Sequence, residues 1–146
     1  MIRIKAVNAQ NLLDVCELTT NRDGTTEEHS CCNAISIAEA KYNAEMYPNA
    51  IYNNNVLIGF FMYKRTEEQA ETAIICRFMI DDRFKQKGLE EKAIEQILRG
   101  LKIQGVKKVI LITDNFNESI KTLFLYFGFR FTGNIEKEKY YYELEL

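Results

Sequence analysis

The sequence predicts one mixed α/β domain, a mostly antiparallel sheet of seven strands with about four helices on its faces. Three observations carry this. The apolar-rich runs TAIICRFMI and VKKVILIT flank a stretch of helical periodicity, giving a strand–helix–strand unit. The triplet NNN at 53–55 separates AIY from VLIGFFMYKR, and asparagine accepts the left-handed conformations of a hairpin turn. The C-terminal KYYYELEL alternates with period two, as a half-buried closing strand does. Hairpins exclude a purely parallel winding. The 146 residues make a single domain, 1–146, able to bury about two thirds of the unfolded chain's surface.

Residues 2–7, IRIKAV, alternate as the first strand. Asn8 caps a helix predicted to run to about Thr19, with Leu12, Leu13, Val15 and Cys16 near one side. The polar stretch 20–34 reads as a loop or an irregular helix. Ser36 and Glu39 have the spacing of a capping box, predicting a short helix to about Glu45. After the hairpin and the polar loop TEEQAE, TAIICRFMI is apolar enough for a strand buried on both faces. A helix from about Lys87 to Leu101 gathers Ala93, Ile94, Ile97, Leu98 and Leu101 on one face. Gly105 breaks the chain before VKKVILIT, and DNFNES opens a helix bearing Ile120, Leu123, Phe124 and Phe127. Gly128 ends that helix, and FRFTG pairs with the closing strand, whose inner face is Tyr140, Tyr142, Leu144 and Leu146.

Composition narrows the function. The chain is 47% hydrophobic and 27% charged, as soluble globular domains are, and its net charge of -2 gives no electrostatic case for nucleic acid. No apolar run approaches the roughly 20 residues that cross a membrane, and the N-terminal MIRIKAVNAQ lacks the apolar block of a signal peptide. A cytoplasmic protein is expected. Cys16, Cys31, Cys32 and Cys76 show no CxxC spacing and His29 is the single histidine, so no metal site and no cysteine–histidine nucleophile is expected. Reduced thiols are the simpler reading.

The stretch RFKQKGLEEKA at 83–93 places a lone glycine among basic residues where a strand hands over to a helix. Such a junction binds phosphate, because the helix's first N–H groups are unpaired and its dipole end is positive. Glu90 and Glu91 in the next turn are anions themselves, and acidic residues there stabilise a helix by a few tenths of a kcal/mol up to about 1. Turned outward, Glu90 leaves the site free; turned inward, it fills it.

NAISIAEAKYN, PNAIY, VLIGFFMY, RFMIDDRF, LFLYFGF and TGNIE follow one another in an order that resembles the GNAT family of acyl-CoA-dependent N-acetyltransferases over nearly the whole chain. It resembles especially the bacterial spermidine/spermine acetyltransferase-like branch. The resemblance implies acetyl-CoA as cosubstrate. Phe78, Met79 and Ile80 match the strand whose backbone faces pantetheine. The family's pyrophosphate loop, Gln/Arg-x-x-Gly-x-Gly/Ala, falls on Lys85, Gln86, Lys87, Gly88, Leu89 and Glu90. Gly88 is kept, while Lys85 and Glu90 depart from the pattern. Asn117 matches the asparagine of Asn-x-x-Ala, and Phe124 stands where the family's general-acid tyrosine usually is. No catalytic residue is therefore matched. Tyr126 is no substitute, since two residues turn a helix by about 200°.

Glu27, Glu28 and His29 lie in the loop that, by resemblance, borders the acceptor; a surface loop is the plainer description of them. The implied activity is acetylation of a small primary amine, with polyamines such as spermidine among the candidates. The alternative is a catalytically weakened GNAT-fold domain with a binding or subunit role, motivated by Glu90 and Phe124. Family relatives commonly form homodimers.

Overall fold

The computed structural model describes residues 1–20, 32–85, 88–114 and 118–146. Among them the elements run β1 (Ile2–Ala6), α1 (Leu12–Glu17), α2 (Asn33–Lys41), β2 (Met46–Asn53), β3 (Val56–Lys64), β4 (Thr72–Ile80), a 3-10 turn (Asp82–Phe84), α3 (Leu89–Ile103), β5 (Lys108–Asp114), α4 (Glu118–Tyr126), β6 (Arg130–Glu136) and β7 (Lys139–Glu145). The expected order of seven strands and four helices holds. One sheet orders the strands β1-β2-β3-β4-β5-β7-β6, and only β4–β5 is parallel.

The hairpin turns as the sequence predicts. Asn54 and Asn55 take φ of 50° and 68°, the left-handed pair of a two-residue turn that follows strand twist. Both glycine stops also form as expected. The Phe129 N–H donates to the Phe124 carbonyl and the Gly128 N–H to that of Leu125. Gly128, at φ 99°, supplies the left-handed residue this closure needs. The same pattern ends α3 at Gly105.

Helices cover both faces of the sheet. One core gathers Ile75, Ile80, Ile94, Ile97, Leu111, Phe124 and Tyr142. Within α3 the buried residues are Leu89, Ala93, Ile94, Ile97 and Leu101, and each large aliphatic side chain there contributes about 1.5–3 kcal/mol. The other core sets Val15 and Leu18 against Ala50, Phe60 and Met62, with Ile37, Cys76 and Met79 at its edge.

Several local expectations are corrected. The first helix begins at Leu12, not after Asn8, whose side chain instead accepts from the N–H groups of Gln10 and Asn11. Leu13 is 75% exposed because so short a helix buries only Val15. Ser36 caps nothing: α2 starts at Asn33, and burial of Asn33 and Ser36 sets its phase. Strand β6 reaches Glu136, with Lys137 and Glu138 making the left-handed turn. Strand β4 is not buried on both faces, since Cys76 to Met79 stay half exposed. The reason lies in its pairing with β5.

Candidate active site

β4 and β5 pair only from Thr72–Lys108 to Ile75–Leu111. Beyond that, β4 keeps β3 on one edge as far as Ile80, and β5 keeps β7 as far as Asp114. The two strands part, so that among the described residues neither continues the other's ladder along the two facing edges. Backbone groups on such edges bind whatever amide-like chain enters, as a sheet edge binds an added strand. A bulge reinforces the opening. Met62 faces Arg77 while Tyr63 faces Ile75, so Cys76 is the extra residue. After the bulge, Phe78 and Ile80 pack into the α3/α4 core, and Cys76 and Met79 pack beneath α1 and α2.

Below the gap, Asp81 is a fully buried carboxylate. Its Oδ2 accepts the Thr19 N–H at 3.0 Å, and its Oδ1 accepts the Arg83 N–H at 3.0 Å and the Arg83 Nε at 2.9 Å. The Asp82 N–H returns a bond to the Thr19 carbonyl at 3.1 Å. This clasp joins the end of α1 to the start of the 85–90 loop. A DD pair after an apolar strand gave no cue that the first aspartate would be buried, and sequence reasoning missed it.

The loop then enters α3. Gly88 takes φ 69° and no side chain caps the helix start, so first-turn N–H groups remain available to an anion. Leu89 is buried and offers only its backbone. The Lys85 Nζ lies 3.3 Å from Asp82 Oδ1, so this cation is already engaged in the loop. Glu90 is half buried. Burial pushes its carboxyl above the usual carboxylate range, the Lys85 charge pulls it back, and the Glu91 charge raises it further. The raised value means that burial outweighs the opposing Lys85 charge at this carboxyl. Glu91, with Thr122, Leu123 and Tyr126, lines an open groove of about 500 Å³ between α3 and α4.

Phe124 is 1% exposed, its ring edge-to-face with Phe78 at 5.7 Å and with Phe129 at 5.2 Å. It is a packing residue with no proton to give. Tyr126 points away, 78% exposed. The Cys76 thiol is pushed up by burial first and by Glu39, against the charges of Lys64 and Arg77. The structure thus brings Phe78, Met79, Ile80, Lys85, Gly88, Leu89, Glu90 and Phe124 to one end of the β4–α3 junction. Gln86, Lys87 and Asn117, the acceptor candidates Glu27, Glu28 and His29, and Cys31 lie outside the described residues. Among the described residues no group of His, Cys, Asp and Glu could hold a metal ion, and no helix is long and apolar enough to cross a membrane.

Comparison with known proteins follows the same line. A family model described as the acetyltransferase (GNAT) family matches residues 12–129. The chain is 28% identical over 143 residues to a spermine/spermidine N(1)-acetyltransferase of Bacillus subtilis (strain 168), covering 92% of this chain and 91% of that one. Among solved structures, an acetyltransferase from Thermus thermophilus superposes with a TM-score of 0.78 at 18% identity, over 100% of this chain and 97% of that one. A PaiA N-acetyltransferase from Thermoplasma acidophilum in complex with coenzyme A gives 0.71 at 16% identity, over 100% and 99%. At such identities the structural likeness establishes the fold.

Proposed function

The chain belongs to the acetyltransferase (GNAT) family, and from that premise we propose that it moves an acetyl group from acetyl-CoA to the primary amine of a small molecule. The observation that carries this reading is the gap between β4 and β5 beside the uncapped start of α3. Acetyl-CoA supplies the acetyl group as a thioester: a C–N bond to the amine forms, the C–S bond breaks, and the amine's proton passes to water while the sulfur takes one up.

The chain's own part is to bind and orient. The free edge at Phe78, Met79 and Ile80 offers backbone partners to the amides of a pantetheine arm, as an edge strand does. The first N–H groups of α3, reached past Gly88, together with Lys85, suit a pyrophosphate. By resemblance, Gln86, Lys87 and Asn117 complete that cradle. Glu90 works against it. Phe124 gives no general acid, so the leaving sulfur depends on its own acidity, a thiol pKa near 8.5. A missing acid costs about 10²–10⁴ in rate. The acceptor enters from the side of α1 and α2, where Glu27, Glu28 and His29 belong by resemblance. The name of the Bacillus subtilis relative supports a polyamine as the first acceptor to assay.

Phe124 and Glu90 together favour a second reading, a GNAT-fold domain that keeps the binding site and has lost most turnover. One experiment separates the two. Acetyl-CoA is titrated by calorimetry, and the bound protein is then assayed for acetylated spermidine by mass spectrometry. Micromolar binding with turnover supports the enzyme. Binding without turnover on any amine supports the second reading, and no binding up to millimolar sinks both.

A further inference from the structure

Arg77 follows the bulged Cys76 on β4 and stands opposite Met62 across the β3–β4 ladder. Met62 lies in the core beneath α1 and α2. Residues directly opposite in antiparallel strands share a face, so Arg77 belongs to that side of the sheet, away from Phe78 and α3. It sits where β4 has just lost β5 as a neighbour, at the mouth through which an acceptor would reach the gap.

The side chain is half buried, and among the described residues no ion pair or hydrogen bond holds its guanidinium. The charges acting at Cys76 are Arg77 and Lys64 as cations and Glu39 as the anion. Lys64 already faces Glu45 at 3.9 Å, and Glu39 is on the exposed surface of α2. Among the described residues, Arg77 is therefore the cation of this mouth that no carboxylate pairs. A guanidinium that has lost part of its water and meets no counter-ion among the described residues is a costly feature unless a ligand supplies one. Its planar fork of donors matches a carboxylate with two parallel bonds. A polyamine brings only further positive charge to this place.

We propose that Arg77 binds a carboxylate on the acceptor, which makes the preferred acceptor a free amino acid bearing a reactive amine rather than a bare polyamine. This rests on the acyl-transfer reading of the gap. It adds that one residue of β4 selects the acceptor's chemical class, and that the selection runs against the polyamine suggested by the relative's name.

Matched pairs test it, because ornithine and putrescine, or lysine and cadaverine, differ by one carboxylate. Acetyl-CoA binding is first measured by calorimetry for the wild-type chain and for Arg77→Met; equal affinities show an intact cofactor site. Each amine is then titrated into the CoA-loaded protein, and kcat and KM are measured with acetyl-CoA. The wild-type chain should bind ornithine about tenfold or more tighter than putrescine, the worth of one charge-assisted pair. The preference should appear in KM, vanish in Arg77→Met with kcat little changed, survive in part in Arg77→Lys, and reverse in Arg77→Glu. Putrescine equal to or better than ornithine in the wild-type chain overturns the proposal. So does a preference that Arg77→Met leaves intact, or binding of none of the four amines at millimolar concentration. Failure of acetyl-CoA to bind defeats the acyl-transfer reading itself, and this inference with it, and is read separately in the first titration.

Discussion

Replacing Glu90 by glutamine removes one carboxylate from the start of α3 and keeps the side chain's length. A carboxylate about 5 Å from a phosphate oxygen repels it by about 3 kcal/mol at an effective dielectric near 20, a factor of roughly one hundred in affinity. That is an upper bound here. Glu90 is only half buried, and the Lys85 ammonium, 3.3 Å from Asp82, offsets part of the charge. Coenzyme A should therefore bind Glu90→Gln about five- to fiftyfold more tightly at pH 7.5. The pH dependence has a definite sign. Because burial raises the Glu90 carboxyl above its ordinary value, the repulsion is fully present well above that raised pKa and fades as pH falls through it. The ratio of wild-type to Glu90→Gln dissociation constants should be largest well above that raised pKa and should shrink as pH falls through it. Stability follows the same sign: a carboxyl raised in the fold favours the native state at low pH and loses that advantage as pH rises. The glutamine variant should accordingly melt no lower than the wild-type chain at pH 7.5. Calorimetric titration of coenzyme A at three pH values, at fixed moderate salt, checks this. Equal affinities within a factor of two across the series would show that the carboxylate does not face the phosphates.

Phe124→Tyr adds a hydroxyl to a buried ring packed edge-to-face on Phe78 and Phe129; denaturant unfolding should show a loss of about 1–3 kcal/mol. No loss would mean that the ring edge reaches the gap. Asp81→Ala strands the N–H groups of Thr19 and Arg83 and the Arg83 guanidinium, and should cost about 3–5 kcal/mol. A loss below 1 kcal/mol would mean that the α1–loop clasp contributes little. With iodoacetamide at pH 7.5, exposed Cys32 should react well before Cys76, whose thiol burial pushes up. Peptide mass spectrometry reads the order, and faster reaction at Cys76 would contradict its packing beneath α2.

Much of the fold was legible in the sequence because its signals are local. Two adjacent asparagines specify a hairpin wherever they fall between strands. Glycine at the end of a helix specifies its stop, and Gly105 and Gly128 end α3 and α4 as the periodicity requires. The period of 3.6 in α3 marks its buried face in advance. Helix starts were read less well. Asn8 and Ser36 have capping chemistry, yet Asn8 braces the turn before α1 and Ser36 is buried inside α2, since packing against the sheet sets where those helices begin.

The site divides in the same way. Gly88, the basic loop and the acidic first turn of α3 were visible as chemistry, and the order of motifs pointed to the family that residues 12–129 match. What no local pattern encodes is where β5 leaves β4. That departure after Ile75 exposes Phe78, Met79 and Ile80 along one backbone edge, and the adjoining bulge sets Arg77 on the helix α1/α2 side. Burial of Asp81 against Thr19, and the partial burial that raises the Glu90 carboxyl, follow from contacts between distant segments. The sequence by itself determined which elements form and in what order, because propensity and periodicity act over a few residues. Tertiary structure alone decided which backbone edges stay unpaired and which charges lose their water, because both depend on what a distant part of the chain places beside them.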